Sequence, residues 1–127
     1  MDFDNMRFSK EHEWVHYEDG SDLVTVGITD YASGELGDIV YIEFPDEGQE
    51  VEAGEPMGTI EAVKTVADLF APVSGVVREI NATLNDDPGL VNQSPYGEGW
   101  FVKIELSDKS ELEELVDKAE YDRMVGK

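Results

Sequence analysis

Residues 58–77 read GTIEAVKTVADLFAPVSGVV and contain one basic residue, Lys64, between two arms rich in β-forming residues. Valine, isoleucine and phenylalanine favour strands, and two such arms around a short centre predict a β-hairpin. The arms are residues 50–61 and 69–77. We expect the tip at Val63-Lys64 or Lys64-Thr65. The centre lacks the Asn-Gly pair that identifies a type I′ turn, so the turn type stays open.

Short runs of valine, isoleucine and aromatic residues recur along the rest of the chain. They are residues 14–17, 23–28, 39–44, 57–63, 73–80 and 100–106. Clusters of glycine, proline and aspartate separate them, a pattern typical of an all-β sandwich or barrel. Val24, Val26 and Ile28 alternate with other residues and should share the buried face of one strand.

Two helices are predicted beside the strands. Thr29 can cap a short helix that Gly34 and Gly37 bring to an end. Near the C-terminal end, Ser110 and Glu113 have the spacing of a capping box, and apolar residues then follow with helical period. These apolar residues are Leu112, Leu115, Val116 and Ala119. We expect one C-terminal helix from about residue 110, packed on the sheet.

The length of 127 residues favours one compact domain, and no linker or low-complexity segment divides the chain. The charge is the outlying property, because 9 basic residues face 30 acidic ones and give a net charge of -21. Phosphate groups would be repelled by this surface, so a nucleic acid or an anionic membrane is not the expected partner.

Two explanations of the acidity compete. The carboxylates could form a surface for basic partners, or they could reflect adaptation to a salty cytoplasm, where about 1 M salt shortens the screening length to roughly 3 Å. Acidic residues are spread over the whole chain and not gathered in a tail. The sequence therefore favours the halophile-like explanation.

Cysteine is absent, which excludes disulfides, thiolate metal sites and a cysteine nucleophile. The sequence shows no basic segment followed by an apolar leader, and no apolar run approaches the roughly 18 residues that span a bilayer. We expect a soluble, cytoplasmic protein.

His12-Glu13-Trp14-Val15-His16 matches the zinc-hydrolase pattern H-E-x-x-H. That chemistry needs a helix, because only there do residues four apart share a face and one metal ion. The valine and aromatic residues of this stretch favour a strand, on which the two histidines would lie about 13 Å apart. A zinc hydrolase remains an alternative that predicts bound metal.

Lys64 stands out because, between Glu11 and Val102, the only lysine or arginine residues are Lys64 and Arg78. A lysine at the apex of a hairpin presents its amine to other proteins while two strands hold it away from the core. This is what a covalent attachment point requires.

The residues around Lys64 resemble the pattern of lipoyl and biotinyl carriers. That pattern is V-x-x-G-x-x-x-x-x-I-E-x-x-K followed by P-x-x-G-x-V, and Val51 and Pro72 begin its two parts here. Biotin carriers flank their lysine with methionines, whereas this chain has Val63 and Thr65. Lipoyl domains of 2-oxo acid dehydrogenases usually have an aspartate directly before the lysine, where Val63 stands.

Within this superfamily, Glu61-Ala62-Val63-Lys64 with Asp68 resembles the H-protein family of the glycine cleavage system. Further blocks resemble that family in the same order, and the resemblance covers residues 8–121. The blocks are HEWV at 12–15, VGITDYA at 26–32, LGD at 36–38, PGLVN at 88–92 and PYGEGW at 95–100.

The resemblance implies a mainly β barrel-sandwich hybrid in which residues 1–127 form a single lipoyl-carrier domain. It also implies a non-enzymatic carrier with lipoate joined to Lys64 by a lipoate ligase or lipoyl transferase. The arm would take an aminomethyl group from a pyridoxal-phosphate glycine decarboxylase to a tetrahydrofolate-dependent aminomethyltransferase. A FAD-dependent dihydrolipoyl dehydrogenase would then reoxidise it.

The resemblance further assigns Glu13 and Asp68 to a cleft that shelters the loaded arm. Two positions depart from the family pattern: Glu11 replaces a small polar residue and adds negative charge at the cleft mouth, and Tyr31 replaces a histidine of some relatives. Two related roles remain as alternatives. One is lipoate donation to other complexes, and the other is biotin carriage, which Val63 and Thr65 disfavour.

Overall fold

The computed structural model describes residues 3–126, and nine short strands make up most of its regular structure. The strands are β1 Met6–Phe8, β2 Glu13–His16, β3 Leu23–Ile28, β4 Ile39–Glu43, β5 Glu50–Val51, β6 Pro56–Ala62, β7 Val66–Phe70, β8 Gly75–Ile80 and β9 Val102–Leu106. The four α-helices are α1 Asp30–Leu36, α2 Thr83–Asp86, α3 Leu90–Gln93 and α4 Lys118–Met124. Two 3₁₀ segments, Phe3–Asn5 and Lys109–Glu114, complete the regular structure of the described residues.

The strands form two antiparallel sheets, which confirms the predicted mainly β barrel-sandwich class. One sheet has the order β1-β2-β3-β9-β8-β5, and the other has the order β4-β6-β7. Both contribute to one apolar core, with Val26 and Ile104 from the larger sheet and Ile60 and Leu69 from the smaller. The smaller sheet therefore lies against the larger, and its β6–β7 hairpin carries Lys64 at one end.

The predicted strand and helix near residue 29 are confirmed. Val24, Val26 and Ile28 are all buried on β3. The Thr29 hydroxyl accepts a hydrogen bond from the Ala32 N–H, a side-chain cap that starts α1. The helix passes through Gly34 and ends at Gly37.

The C-terminal end differs from the single helix predicted from about residue 110. A 3₁₀ segment covers Lys109–Glu114, and α4 begins only at Lys118. Between them Val116 exchanges two backbone hydrogen bonds with Phe8, of 2.8 and 3.0 Å, which requires extended backbone at that point. Asp117 then caps α4 by accepting from the Glu120 N–H. Pairing with β1 therefore interrupts the helical pattern.

A second apolar cluster joins the two ends of the described chain. Met6, Phe8 and Trp14 pack with Tyr121 of α4, and all four are almost completely buried. No helix of residues 3–126 has the length and apolar character that crossing a membrane demands.

Candidate functional site

The lysine turn joins β6 to β7 at the end of the smaller sheet. Glu61 pairs with Val66 as the last pair of the ladder, and the Ala62 N–H donates to the Thr65 carbonyl at 2.8 Å to close the turn. Lys64 is exposed within this closed turn. The predicted hairpin and its lysine-bearing tip are confirmed.

A neighbouring loop holds the turn in place. The Val63 N–H donates to the Asp38 carbonyl at 2.9 Å, which ties the tip to the segment after α1. Asn92 of α3 fixes that segment from both sides: its amide oxygen accepts from the Ile39 N–H at 3.0 Å, and its amide nitrogen donates to the Gly37 carbonyl at 2.8 Å. The lysine tip is therefore supported through loop 37–39 by a third element.

The Lys64 side chain lies against Gly37. A β-carbon at the glycine would stand 3.2 Å from Lys64 Cε and 3.7 Å from Lys64 Nζ. The side chain thus extends along the end of α1 and not into the barrel core.

A cavity of about 340 Å³ lies near the contact of Lys64 with Gly37, between the larger sheet, α1 and the lysine hairpin. Tyr31 and Leu36 of α1 form one wall, Ile60 of β6 contributes to the opposite wall, and Glu13 and Asp68 bring carboxylates to the same space. Its size falls in the range of small-molecule sites, roughly 300 to 1,000 Å³. The two residues assigned by the resemblance to a sheltering cleft therefore line one cavity.

Glu13 is the buried acid of this cavity, with only 2% of its surface exposed. The Ser9 hydroxyl donates to Glu13 Oε1 at 2.6 Å. Burial raises the pKa of Glu13 to about 7, against the opposing effect of the Ser9 hydrogen bond, and the nearby charge of Glu11 raises it further. The backbone of Phe70 also favours the ionised form, though more weakly. Glu13 can therefore exchange a proton near neutral pH.

The mouth of the cavity is acidic. Glu11, Glu35 and Asp68 all line it and are all exposed. The extra negative charge expected from Glu11 is therefore present at the mouth. A cation entering the cavity would pass three exposed carboxylates before it reached Glu13, an arrangement that favours positive over negative groups.

A hydrogen-bonded group behind the cavity joins its wall to the C-terminal helix. The hydroxyl of Tyr121 lies 2.7 Å from Thr29 Oγ1 and 2.7 Å from His12 Nδ1. His12 adopts a left-handed backbone conformation with φ of 68° and packs its ring 4.8 Å from that of Tyr31. Tyr31 therefore lines the cavity and packs its ring against that of His12.

The two histidines of the H-E-x-x-H match face different spaces. His12 lines the cavity, whereas His16 lines a separate groove with Trp14 and Trp100. The strand predicted at residues 14–17 is present and covers Glu13–His16, so the two imidazoles do not share a face as they would on a helix.

Comparison with known proteins agrees with this geometry. A family model described as glycine cleavage H-protein matches residues 6–127. The chain belongs to the glycine cleavage H-protein family. This confirms the family predicted from the residues around Lys64.

Relatives in this family match over nearly their whole length. The glycine cleavage system H protein of Staphylococcus saprophyticus is 53% identical, with 95% of this chain and 94% of the relative covered. That of Halalkalibacterium halodurans is 52% identical, with coverage of 95% and 93%. A crystal structure of a glycine cleavage system H protein from Mycobacterium marinum superposes with a TM-score of 0.88 at 37% identity, covering 97% of this chain and 98% of that one.

Glycine cleavage H-proteins carry lipoate on a lysine and serve as the non-catalytic subunit of their system. As a member of the family, this chain is a lipoyl carrier in glycine cleavage that acts with the other components of the system. Sequence reasoning assigned Gly37 only to the end of a helix and gave Asn92 and Tyr121 no role. No local pattern indicates which residues these three contact.

Proposed function

We propose that Lys64 is the lipoyl attachment residue, and that the carrier takes an aminomethyl group from a pyridoxal-phosphate glycine decarboxylase to a tetrahydrofolate-dependent aminomethyltransferase. A FAD-dependent dihydrolipoyl dehydrogenase then reoxidises the arm. The observation that carries this proposal is an exposed amine on a closed, buttressed turn whose side chain lies beside a cavity containing a buried acid.

The residues present fit a lipoyl arm. The Lys64 amine is exposed, so a lipoate ligase or lipoyl transferase can reach it. Leu36 and Ile60 supply apolar surface for methylene groups, while Glu13 and Asp68 supply charge for a cationic end. An apolar pocket with a few directed polar groups is the usual form of a site for such a ligand.

Bound lipoate supplies a disulfide that accepts the aminomethyl group on sulfur. The chain's own residues do the rest. The Lys64 amine loses its charge when it becomes an amide, which removes the cost of placing it near the apolar wall. Ionised Glu13 and Asp68 then hold the ammonium of the carried group, and Ile28, Leu36 and Ile60 exclude water from it. The attraction between two opposite charges is stronger in such a cavity than at an exposed site.

The acidic mouth also suits the enzymes that receive the arm. A partner whose entrance carries lysine and arginine would be attracted by the exposed acids around the turn, which speeds encounter more than it strengthens the complex. We propose that the decarboxylase, the aminomethyltransferase, the dehydrogenase and the lipoate-attaching enzyme all approach the Lys64 end of the molecule. Neither a nucleic acid nor a membrane fits a net charge of -21.

We place the carrier in the cytoplasm of a cell that maintains high salt. The excess of acidic residues over the whole chain supports this, because screening removes much of its self-repulsion. We also treat residues 1–127 as one lipoyl-carrier domain, since the main core takes residues from both sheets. A protein that only donated lipoate would use the same lysine, but its function would not need the buried carboxyl of Glu13.

Intact-mass measurement tests the attachment residue. The chain is incubated with lipoate, ATP and a lipoate ligase, and we expect a mass increase equal to one lipoyl group that fragmentation maps to Lys64. Lys64→Arg should keep its fold, because a solvent-exposed turn residue contributes little to stability. It should gain no mass, because the attachment amine is gone. Lys10→Arg, at another exposed turn lysine, is the matched control and should be modified like the natural chain. Modification at another lysine, or glycine cleavage by the unmodified Lys64→Arg carrier, would contradict the proposal.

A further inference from the structure

The Lys64 side chain lies beside Gly37, the residue that follows α1. A β-carbon at position 37 would lie 3.2 Å from Lys64 Cε, 3.7 Å from Nζ and 3.9 Å from Cδ. An added β-carbon would therefore press on Cε and touch Nζ and Cδ at ordinary contact distances. Carbon atoms in ordinary contact lie about 3.5 to 4.0 Å apart, so the lysine would have to move outward.

Gly37 is held firmly where this contact occurs. Its φ of 79° and ψ of -154° lie in a region that only glycine adopts readily. Its N–H donates to the Ser33 carbonyl at 3.0 Å and ends α1, and its carbonyl accepts from Asn92. The position of the bare α-carbon is therefore fixed by α1 on one side and by α3 on the other.

Gly37 also lies between the lysine tip and the cavity. It contacts the Lys64 side chain, and the residue before it, Leu36, lines the cavity together with Ile60 and Ala67. Lys64 Cε is the side-chain atom nearest to position 37, and Leu36 offers an attached chain an apolar surface that belongs to the cavity lining. The missing side chain at position 37 leaves room for such a chain to pass.

We propose that Gly37 is a positioning residue for the tethered arm. Its bare α-carbon is the crossing point at which the lysine and its attached chain lie flat and enter the cavity. A β-carbon there lifts the arm, so the carried group spends more time in water. The inference rests on the proposed attachment at Lys64 and use of the cavity, and it assigns to Gly37 a role beyond ending a helix.

Two glycine variants, both at a positive φ, test this role. Gly37→Ala places a methyl group under the lysine, whereas Gly54→Ala imposes strain at a similar positive φ of 87° with nothing within 4 Å of the new carbon. Both carriers are lipoylated, loaded with glycine by the decarboxylase, separated from it, and followed for loss of the aminomethyl group. We expect severalfold faster loss from Gly37→Ala and a natural rate from Gly54→Ala, because only the first variant displaces the lysine side chain.

A second measurement does not depend on any variant. In the natural carrier, nuclear Overhauser contacts between the Lys64 ε-methylene and the Gly37 α-protons should be present before lipoylation and persist in the loaded carrier. Contacts from the attached chain to the Leu36 methyls should then appear. This result decides the matter if Gly37→Ala does not fold.

The outcomes are distinct. Equal loss from the two alanine variants, or no contact between the loaded arm and Gly37, would overturn the role of Gly37 while the carrier function stands. If the natural chain took up no lipoyl group at Lys64, or took up no cargo once lipoylated, both proposals would fall together.

Discussion

Glu13 is a carboxyl whose surroundings disfavour its charge. It is 2% exposed at the junction of the two sheets, and its closest described partner is the Ser9 hydroxyl. A carboxyl in such surroundings is held near its point of half-ionisation, because burial opposes its charge while the hydrogen bond supports it. An arriving ammonium group would shift that balance towards the ionised acid. Uptake of the cationic cargo should therefore release a proton.

Replacing Glu13 with glutamine should stabilise the unloaded carrier at alkaline pH. The natural residue has a folded pKa of about 7 against 4.5 when unfolded, so the folded state loses stability as pH rises from about 4.5 to 7, by roughly 3 kcal/mol in all. Glutamine keeps a group that accepts from Ser9 and has no charge to bury. Urea unfolding should show that the stability gained by Glu13→Gln over the natural chain is much larger at pH 8 than at pH 5. Glu18→Gln, at an exposed position, is the control and should show no such gain.

The same residue should protect the cargo in a pH-dependent manner. Glu13→Gln combined with Asp68→Asn should shorten the lifetime of the aminomethyl group on the isolated loaded carrier, because the ammonium then has no carboxylate in the cavity. The ratio of natural to variant lifetime should be largest at pH 8. It should fall as pH is lowered through the pKa of Glu13 in the loaded carrier, which the ammonium holds below 7. Equal lifetimes at pH 8 would remove both side chains from the protective role.

At the scale of elements, the four-residue helix α3 is important for holding the lysine tip in place. It supplies Asn92, whose two hydrogen bonds fix the loop that in turn holds the lysine tip. The Ile39 N–H and the Gly37 carbonyl would lose their partner without it. A buried polar group left unpaired costs about 1 to 3 kcal/mol.

Asn92→Ala should therefore lower the free energy of unfolding by about 2 kcal/mol and loosen the tip. Hydrogen exchange followed by NMR should show faster exchange at the Val63 amide, which donates to Asp38 in the same loop. Asn85→Ala, on the exposed side of α2, is the matched control and should change neither quantity. Unchanged exchange at Val63 in Asn92→Ala would show that the tip does not depend on this clamp.

The elements also show where sequence reasoning succeeds and where it stops. The hairpin at Lys64 and the cap at Thr29 depend on residues close in sequence, so their local patterns predict them. The break at Val116 depends on pairing with Phe8, over 100 residues away, and no local pattern indicates it. The helical spacing around Leu112 and Leu115 is real, but a strand contact overrides it.

The residues of the site also divide into those that the sequence predicts and those whose role depends on tertiary contacts. Lys64 is predicted from its isolation and from the resemblance, while Glu13 and Asp68 are assigned by the resemblance alone. Their presence in one cavity results from the packing of two sheets. The contact of Gly37 with the lysine and the clamp by Asn92 are likewise tertiary, which is why the sequence does not reveal them.

The whole molecule carries far more negative charge than its own basic residues can balance. Ion pairs among residues 3–126 include Arg78 with Glu105 and Lys109 with Asp22, both about half exposed and of little energetic weight. Nine basic residues cannot neutralise thirty acidic ones. Self-repulsion should therefore oppose the compact state in dilute buffer.

We accordingly expect the melting temperature to rise steadily from low to molar potassium chloride as screening shortens. A variant with four exposed acids neutralised away from the cavity should be more stable in dilute buffer and should respond less to salt. Its substitutions are Glu52→Gln, Glu55→Gln, Asp86→Asn and Asp87→Asn. Differential scanning calorimetry measures both responses. A melting temperature independent of salt in the natural chain would argue against a halophile-like adaptation.

The bond between His12 and Tyr121 has a consequence for how the molecule is made. The histidine leaves the ribosome early, and its hydroxyl partner lies 109 positions later. During synthesis the N-terminal strands cannot form this contact beside the cavity until the last helix has been made. A chain without that helix would leave His12, which lines the cavity, without this hydroxyl partner.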